Sequence, residues 1–124
     1  MLELKRTSGR AVNLVVLGYV NNMNELHLIA DLVMGKAGAS ATFEAIHMLK
    51  PIIFTEWACY NEKPNIDFCI RKGFGFYAAD EKSLLRILKR ILGTSCLEAC
   101  KNRLKQFNFQ SGAVPIAGFI DSLC

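Results

Sequence analysis

Gly35-Lys36-Ala37-Gly38-Ala39-Ser40-Ala41-Thr42-Phe43-Glu44-Ala45 follows the short apolar run Leu32-Val33-Met34 and opens into residues with helical spacing. The pattern is a strand, a turn of small residues and a helix N-terminus, with the Glu44 carboxylate a turn inside the helix. The first backbone N–H groups of a helix lack intrahelical partners and sit at the positive end of its dipole, so such a turn can seat a phosphate. A carboxylate beside it can accept hydrogen bonds from ribose hydroxyls. The stretch points toward a bound nucleotide. Taken alone, Gly38 with Ala39 also reads as a plain tight turn, and Glu44 as a solvated helix residue.

Outward from this stretch, strands and helices alternate. Val12-Asn13-Leu14-Val15-Val16-Leu17 is short, β-branched and closed by Gly18, as a buried strand would be. Asn21 and Asn22 offer caps for a helix from Met23 to Ala30. Asp31 to Gly35 reads as a second strand, Ala41 to Leu49 as a second helix, and Pro51-Ile52-Ile53-Phe54-Thr55 as a third strand with proline at its tolerated first position. A polar loop, Glu56 to Pro64, leads to a helix over Asn65 to Lys72, and Phe74-Gly75-Phe76-Tyr77 reads as a fourth strand. Gly73-Phe74-Gly75 is too short for a dinucleotide fingerprint and fits close backbone packing.

Leu84, Leu85, Ile87, Leu88, Ile91 and Leu92 mark an amphipathic helix starting at Asp80 or Glu81. Ser95 with Glu98 suggests a capping box for a helix to Phe107, and Ala113 to Leu123 a terminal helix with Pro115 in its first turn. The expected class is α/β, a Rossmann-like parallel sheet of about four strands flanked by helices. No repeat or linker divides residues 1–124, so the chain reads as a single domain.

With 124 residues, 52% hydrophobic and 21% charged, the chain can fold around a core. No apolar run reaches membrane-span length, and Met1 to Arg6 carries no signal-peptide pattern, so a cytoplasmic location is expected. The five cysteines lack metal-type spacing and suit a reducing compartment. Arg71 to Lys105 holds nine basic residues against three acidic ones. Such a segment reads first as the solvated face of surface helices, and it can also meet an anionic membrane surface. Nucleic-acid binding is the weaker alternative, and no nucleic-acid partner is expected.

In an open parallel sheet, ligands gather at the carboxyl ends of the strands. Three segments are expected there. Gly18 to Met23 could present backbone to a base, with Tyr19 and Val20 flanking it. The N–H groups of Ala39, Ser40, Ala41 and Thr42 could hold phosphate, with Glu44 on the ribose. Tyr60-Asn61-Glu62-Lys63-Pro64-Asn65 could read sugar hydroxyls. Trp57 could stack on a base or sugar, although anchoring its loop to the core is the plainer reading. His27 and His47 pair with no cysteine or carboxylate at ligand spacing, and no metal site is expected. Neither a Gly-x-Ser-x-Gly elbow nor a Walker A loop occurs, and Cys59 has acidic neighbours unsuited to a thiolate nucleophile.

In order and spacing, Gly18-Tyr19-Val20-Asn21-Asn22-Met23, Asp31-Leu32-Val33-Met34-Gly35-Lys36-Ala37-Gly38, Glu44-Ala45, Pro51-Ile52-Ile53 and Asn61-Glu62-Lys63-Pro64-Asn65 resemble one family. It is the C-terminal domain of family 28 glycosyltransferases, and the lipid-galactosyl and lipid-glucosyl branches are the closer match. The resemblance runs over about Val12 to Leu92 and implies an incomplete GT-B C-terminal domain, the donor-nucleotide-binding part of an inverting hexosyltransferase.

The donor would be a UDP-sugar, with no further cofactor, and the acceptor a lipid or another molecule, as in glycolipid synthesis at the inner face of a cell membrane. The resemblance implies nucleotide contacts at Tyr19, Val20, Met23, Gly38, Ala39, Ser40, Ala41, Thr42 and Glu44, and donor-sugar contacts at Asn61, Glu62 and Asn65. Asn61 stands where the family usually has glutamine, which opens the choice of sugar. The Gly-Gly-Ser loop, the first βα units and the acceptor-binding N-terminal domain of the family have no counterpart in the sequence, and the general base is assigned to no residue. On this basis the chain alone is expected to lack transferase activity. The alternative is a non-catalytic remnant, or one half of a split enzyme that needs a partner chain.

Overall fold

The computed structural model describes residues 15–107, 109 and 112–123. Their elements are α1 (Met23–Ile29), β1 (Val33–Lys36), α2 (Ala39–His47), β2 (Ile52–Glu56), a 3-10 turn (Tyr60–Glu62), α3 (Lys63–Lys72), β3 (Gly75–Tyr77), α4 (Glu81–Gly93), α5 (Cys96–Gln106) and α6 (Ala113–Asp121). The described strands form one parallel sheet in the order β1-β2-β3, with Val33 opposite Ile52 and Ile52 opposite Gly75. Parallel neighbours need crossover helices, and α2 and α3 supply them. The architecture is α/β and Rossmann-like.

Three of the four expected strands are present. Of the other, residues 12–14 lie outside the described residues. Val15 to Leu17 form no strand and are exposed, Val15 at 75%. Their β-branched composition suits a strand, but no described neighbour pairs with them, and propensity alone does not make a strand.

Central β2 is buried on both faces. Successive strand side chains point to opposite sides, so Ile52 and Phe54 enter one cluster and Ile53 the other. The first cluster holds Ala45 and Ile46 of α2, Ile66 and Cys69 of α3, Phe74, and Leu104 of α5. Around it, Phe74 meets Phe107 edge-on at 5.1 Å and Phe68 at 5.9 Å between ring centroids. The second cluster joins Ile53 to Ala78 and to Ile91 of α4, with Leu84, Ile87, Leu88 and Leu97 packed against it. Each fully buried large apolar side chain contributes roughly 1.5–3 kcal/mol.

Helix boundaries follow local chemistry. Gly73 closes α3 in the left-handed conformation at φ 70°, where the Phe74 N–H returns to the Cys69 carbonyl at 2.8 Å. A Cβ at Gly75 would run into the Ile52 carbonyl, so the expected close packing of backbone is real there. Asp80 caps α4 in a reciprocal box with Ser83.

The expected Ser95–Glu98 box does not form. Thr94 Oγ1 instead accepts from the Cys96 N–H at 3.2 Å, while Glu98 pairs with Lys101 at 3.2 Å. α2 begins at Ala39, two residues before the expected start, because small residues permit an early first turn. The expected loop before α3 is also partly helical, since Tyr60–Glu62 form a 3-10 turn and α3 begins at Lys63. α6 carries Pro115 in its first turn, and its large apolar side chains are exposed, among them Ile116 at 60% and Phe119 at 64%.

Candidate functional site

The site is built at the carboxyl ends of β1 and β2. Register slips by one residue between Gly35 and Lys36, so that Lys36 stands opposite Glu56 and Thr55 is skipped. A bulge of this kind bends the strand end and re-aims the residues beyond it. The Lys36 ammonium lies 3.6 Å from the Glu56 carboxylate, and the Ala37 N–H donates to the Glu56 carbonyl at 3.0 Å. The chain then passes through buried Ala37 to Gly38, the N-cap of α2, in extended conformation.

No side chain caps α2, and its first turn holds no acidic residue. The backbone N–H groups of Ala39, Ser40 and Ala41 make no hydrogen bond among the described residues, and they meet solvent at the positive end of the helix. Thr42 differs from the expectation. Its N–H reaches the Gly38 carbonyl at 3.0 Å and its hydroxyl donates to the same oxygen at 2.7 Å, with the residue fully buried. Thr42 therefore holds the turn and offers a ligand no free donor.

Because α2 starts at Ala39, Glu44 is its sixth residue rather than a single turn in, about 9 Å along the axis from Gly38 at the usual rise. Its side chain is exposed and makes no hydrogen bond or ion pair among the described residues.

The second segment meets the first directly. Glu62 Oε2 accepts from the Ala58 N–H at 2.6 Å, which ties the end of the 3-10 turn to the loop before it. The other oxygen, Oε1, lies 3.9 Å from the place a Cβ would take on Gly38. Asn65, in the first turn of α3, donates from Nδ2 to the Ala37 carbonyl at 2.8 Å. Its amide is thus committed to the turn, a use the motif does not suggest. Asn61 is exposed on the 3-10 turn.

Trp57 is not anchored in the core. It stands 39% exposed, with its ring edge-on to exposed Tyr60 at 6.4 Å. Sequence reasoning misses both the Trp57–Tyr60 pair and the Lys36–Glu56 pair. Only the parallel register of β1 and β2, which places Lys36 and Glu56 side by side, reveals the second.

The structure brings Gly38, Ala39, Ser40, Ala41 and Thr42 together with Glu62 and Asn65. No hydrogen bond, ion pair or ring contact ties Tyr19, Val20 or Met23 to them among the described residues. Tyr19 is fully exposed, Val20 half-buried and Met23, the first residue of α1, 46% exposed.

Residues 2–60 match the glycosyltransferase family 28 C-terminal domain. The match spans a little under half of the 124 residues and supports a partial domain of this family. Within it lie α1, β1, α2 and β2, and so Tyr19, Val20, Met23, Gly38 through Thr42 and Glu44. Asn61, Glu62 and Asn65 fall just past the end of the family 28 match. No curated relative matches the chain. No helix among the described residues is long and apolar enough to cross a membrane.

Proposed function

We propose that this chain is the UDP-sugar-binding part of an inverting hexosyltransferase that delivers its sugar to a lipid or another acceptor. The observation that carries the reading is the uncapped start of α2, with three free N–H groups at the carboxyl end of β1, inside the stretch that matches the family 28 domain. The N–H groups of Ala39, Ser40 and Ala41 would hold the diphosphate. Glu44, farther along α2, accepts from ribose hydroxyls, and the backbone near Tyr19 and Val20, with Met23, flanks the base. The Asn61 amide accepts from and donates to the sugar hydroxyls, and the Glu62 carboxylate accepts from them.

In the transfer, the acceptor oxygen forms its bond to the anomeric carbon from the face opposite the diphosphate, and the bond to the leaving oxygen breaks. Negative charge grows on the diphosphate, and helix-start donors aimed there stabilise it. Lys36, two residues before Gly38 and 61% exposed, adds positive charge nearby. The group that takes the acceptor's proton is assigned to no residue here.

Isothermal titration of the chain with UDP tests this reading. We expect weak binding that falls at least fivefold in Glu44→Ala; identical isotherms for the two proteins overturn the donor site. A second reading, a half-enzyme that works with a partner chain, is favoured by the exposed apolar side chains of Val15 to Leu17 and of α6. Light scattering decides it, since a monomer at all concentrations that transfers sugar by itself excludes the need for a partner.

The stripe of exposed Lys82, Arg86, Lys89 and Arg90 on α4, opposite buried Ile91, is the face we assign to an anionic membrane surface. Co-sedimentation with anionic vesicles that is insensitive to charge reversal of these four residues overturns that assignment.

A further inference from the structure

Ala37 is fully buried, and two different elements hold its backbone. Its N–H is bonded to Glu56 at the end of β2, and its carbonyl accepts from Asn65 Nδ2 of α3. A carbonyl oxygen can only accept, so the Asn65 amide must turn its NH2 toward the turn. The next residue, Gly38, is the N-cap of α2, and the orientation of the Ala37–Gly38 peptide sets the direction of the N–H groups after it. Asn65 also stands three residues after Glu62, whose carboxylate lies beside Gly38. One side chain thus joins the two segments on which the donor site rests.

We infer that Asn65 is a positioning residue that orients the phosphate turn through the Ala37 carbonyl, and is not a contact to the donor sugar. The inference rests on the donor-site reading proposed above. Its consequence is specific. Removing the Asn65 amide weakens every ligand that uses the start of α2 by the same factor, whether or not the ligand carries a sugar. A sugar contact would be felt only by the sugar nucleotide. A residue that served stability alone would lower the melting temperature and leave both affinities unchanged well below it.

The experiment compares the full chain with Asn65→Ala, a change to a good helix former that α3 should accept. Both proteins are titrated with UDP and with UDP-glucose well below melting, and the exchange of the Ala37 amide is followed without ligand. The expected result is an equal loss for both ligands of about tenfold, or about 1.4 kcal/mol, with faster Ala37 exchange. Loss of UDP-glucose binding with UDP binding unchanged overturns the inference, as does unchanged exchange at Ala37.

If wild type binds neither ligand while the variant still exchanges faster at Ala37, the donor-site reading falls and the clamp stands. Should Asn65→Ala fail to fold, Asn65→Asp keeps the shape, and its carboxylate suits the first turn of α3. It is judged by Ala37 exchange alone, and unchanged exchange overturns the inference.

Discussion

Glu62 Oε1 lies 3.9 Å from the point where a Cβ on Gly38 would stand. That is ordinary van der Waals contact, and Gly38 itself has φ −60° and ψ 141°, a conformation open to any residue. Glycine is therefore not required at this position by the fold. We predict that Gly38→Ala melts within about 0.5 kcal/mol of wild type. The added methyl narrows the gap between the turn and the Glu62 carboxylate, so UDP binding should weaken by calorimetry while stability holds.

Gly75 is the opposite case. Its backbone passes so close to the Ile52 carbonyl that no side chain fits, and Ile52 and Gly75 face each other in the parallel ladder. Relief requires β3 to move away from β2, at the centre of both clusters. Gly75→Ala should lose about 3 kcal/mol, the upper end of overpacking costs. The check is the urea midpoint, which should fall with little change in slope.

Much of this frame was legible in the sequence because period and punctuation agreed. The runs before Gly35 and after Pro51, and Gly73 before β3, mark strands whose neighbours are close in the chain. Val15 to Leu17 show the limit. Their composition matches a strand, but strand formation depends on a partner that composition does not reveal. The site divides along the same line. The uncapped start of α2 follows from local residues, whereas Asn65 reaching back to Ala37 and Lys36 meeting Glu56 depend on register and on how α3 is laid down.

Asp31, just before β1, joins Lys101 of α5 at 3.0 Å, and Lys101 also meets Glu98. The Lys101 ammonium lowers the Asp31 carboxyl from its ordinary 3.8, first through the hydrogen bond and then through charge. A depressed carboxyl contributes stability that is fully present above its unfolded value and is lost as pH falls through its lower folded value. The Lys101 value is raised, first by its hydrogen bond to Asp31, so its contribution is complete below its unfolded value and is lost as pH rises through the raised one. Asp31→Asn should therefore flatten the acid limb of stability below pH 3.8, seen by circular dichroism melts across pH. An unchanged acid limb would count against the pair.

The cysteines should separate by reactivity. Cys59 is exposed on the loop beyond β2, whereas Cys69 is fully buried in α3, and burial pushes its thiol up to about 11. Cys100 is also buried, and its thiol is raised, first by burial and then by neighbouring Cys96. The thiolate is the reacting form, so a raised and inaccessible thiol is inert. Iodoacetamide at pH 8 should label Cys59 in the native chain and reach Cys69 and Cys100 only on unfolding. Mass spectrometry of digested protein reads the order directly.

Thr42 distinguishes support of the turn from contact with the ligand. Its hydroxyl and its N–H converge on the Gly38 carbonyl, and no part of it is exposed. Thr42→Val keeps the shape and removes only the hydroxyl bond, at a cost of about 1 kcal/mol, while Thr42→Ser keeps the bond and loses a buried methyl. Both variants should melt below wild type. If the hydroxyl serves the turn alone, UDP affinity well below melting stays within about twofold of wild type in Thr42→Val, a difference worth well under 1 kcal/mol. A tenfold loss with the fold intact would place the hydroxyl on the phosphate, and the bond to Gly38 would then have to break when ligand binds.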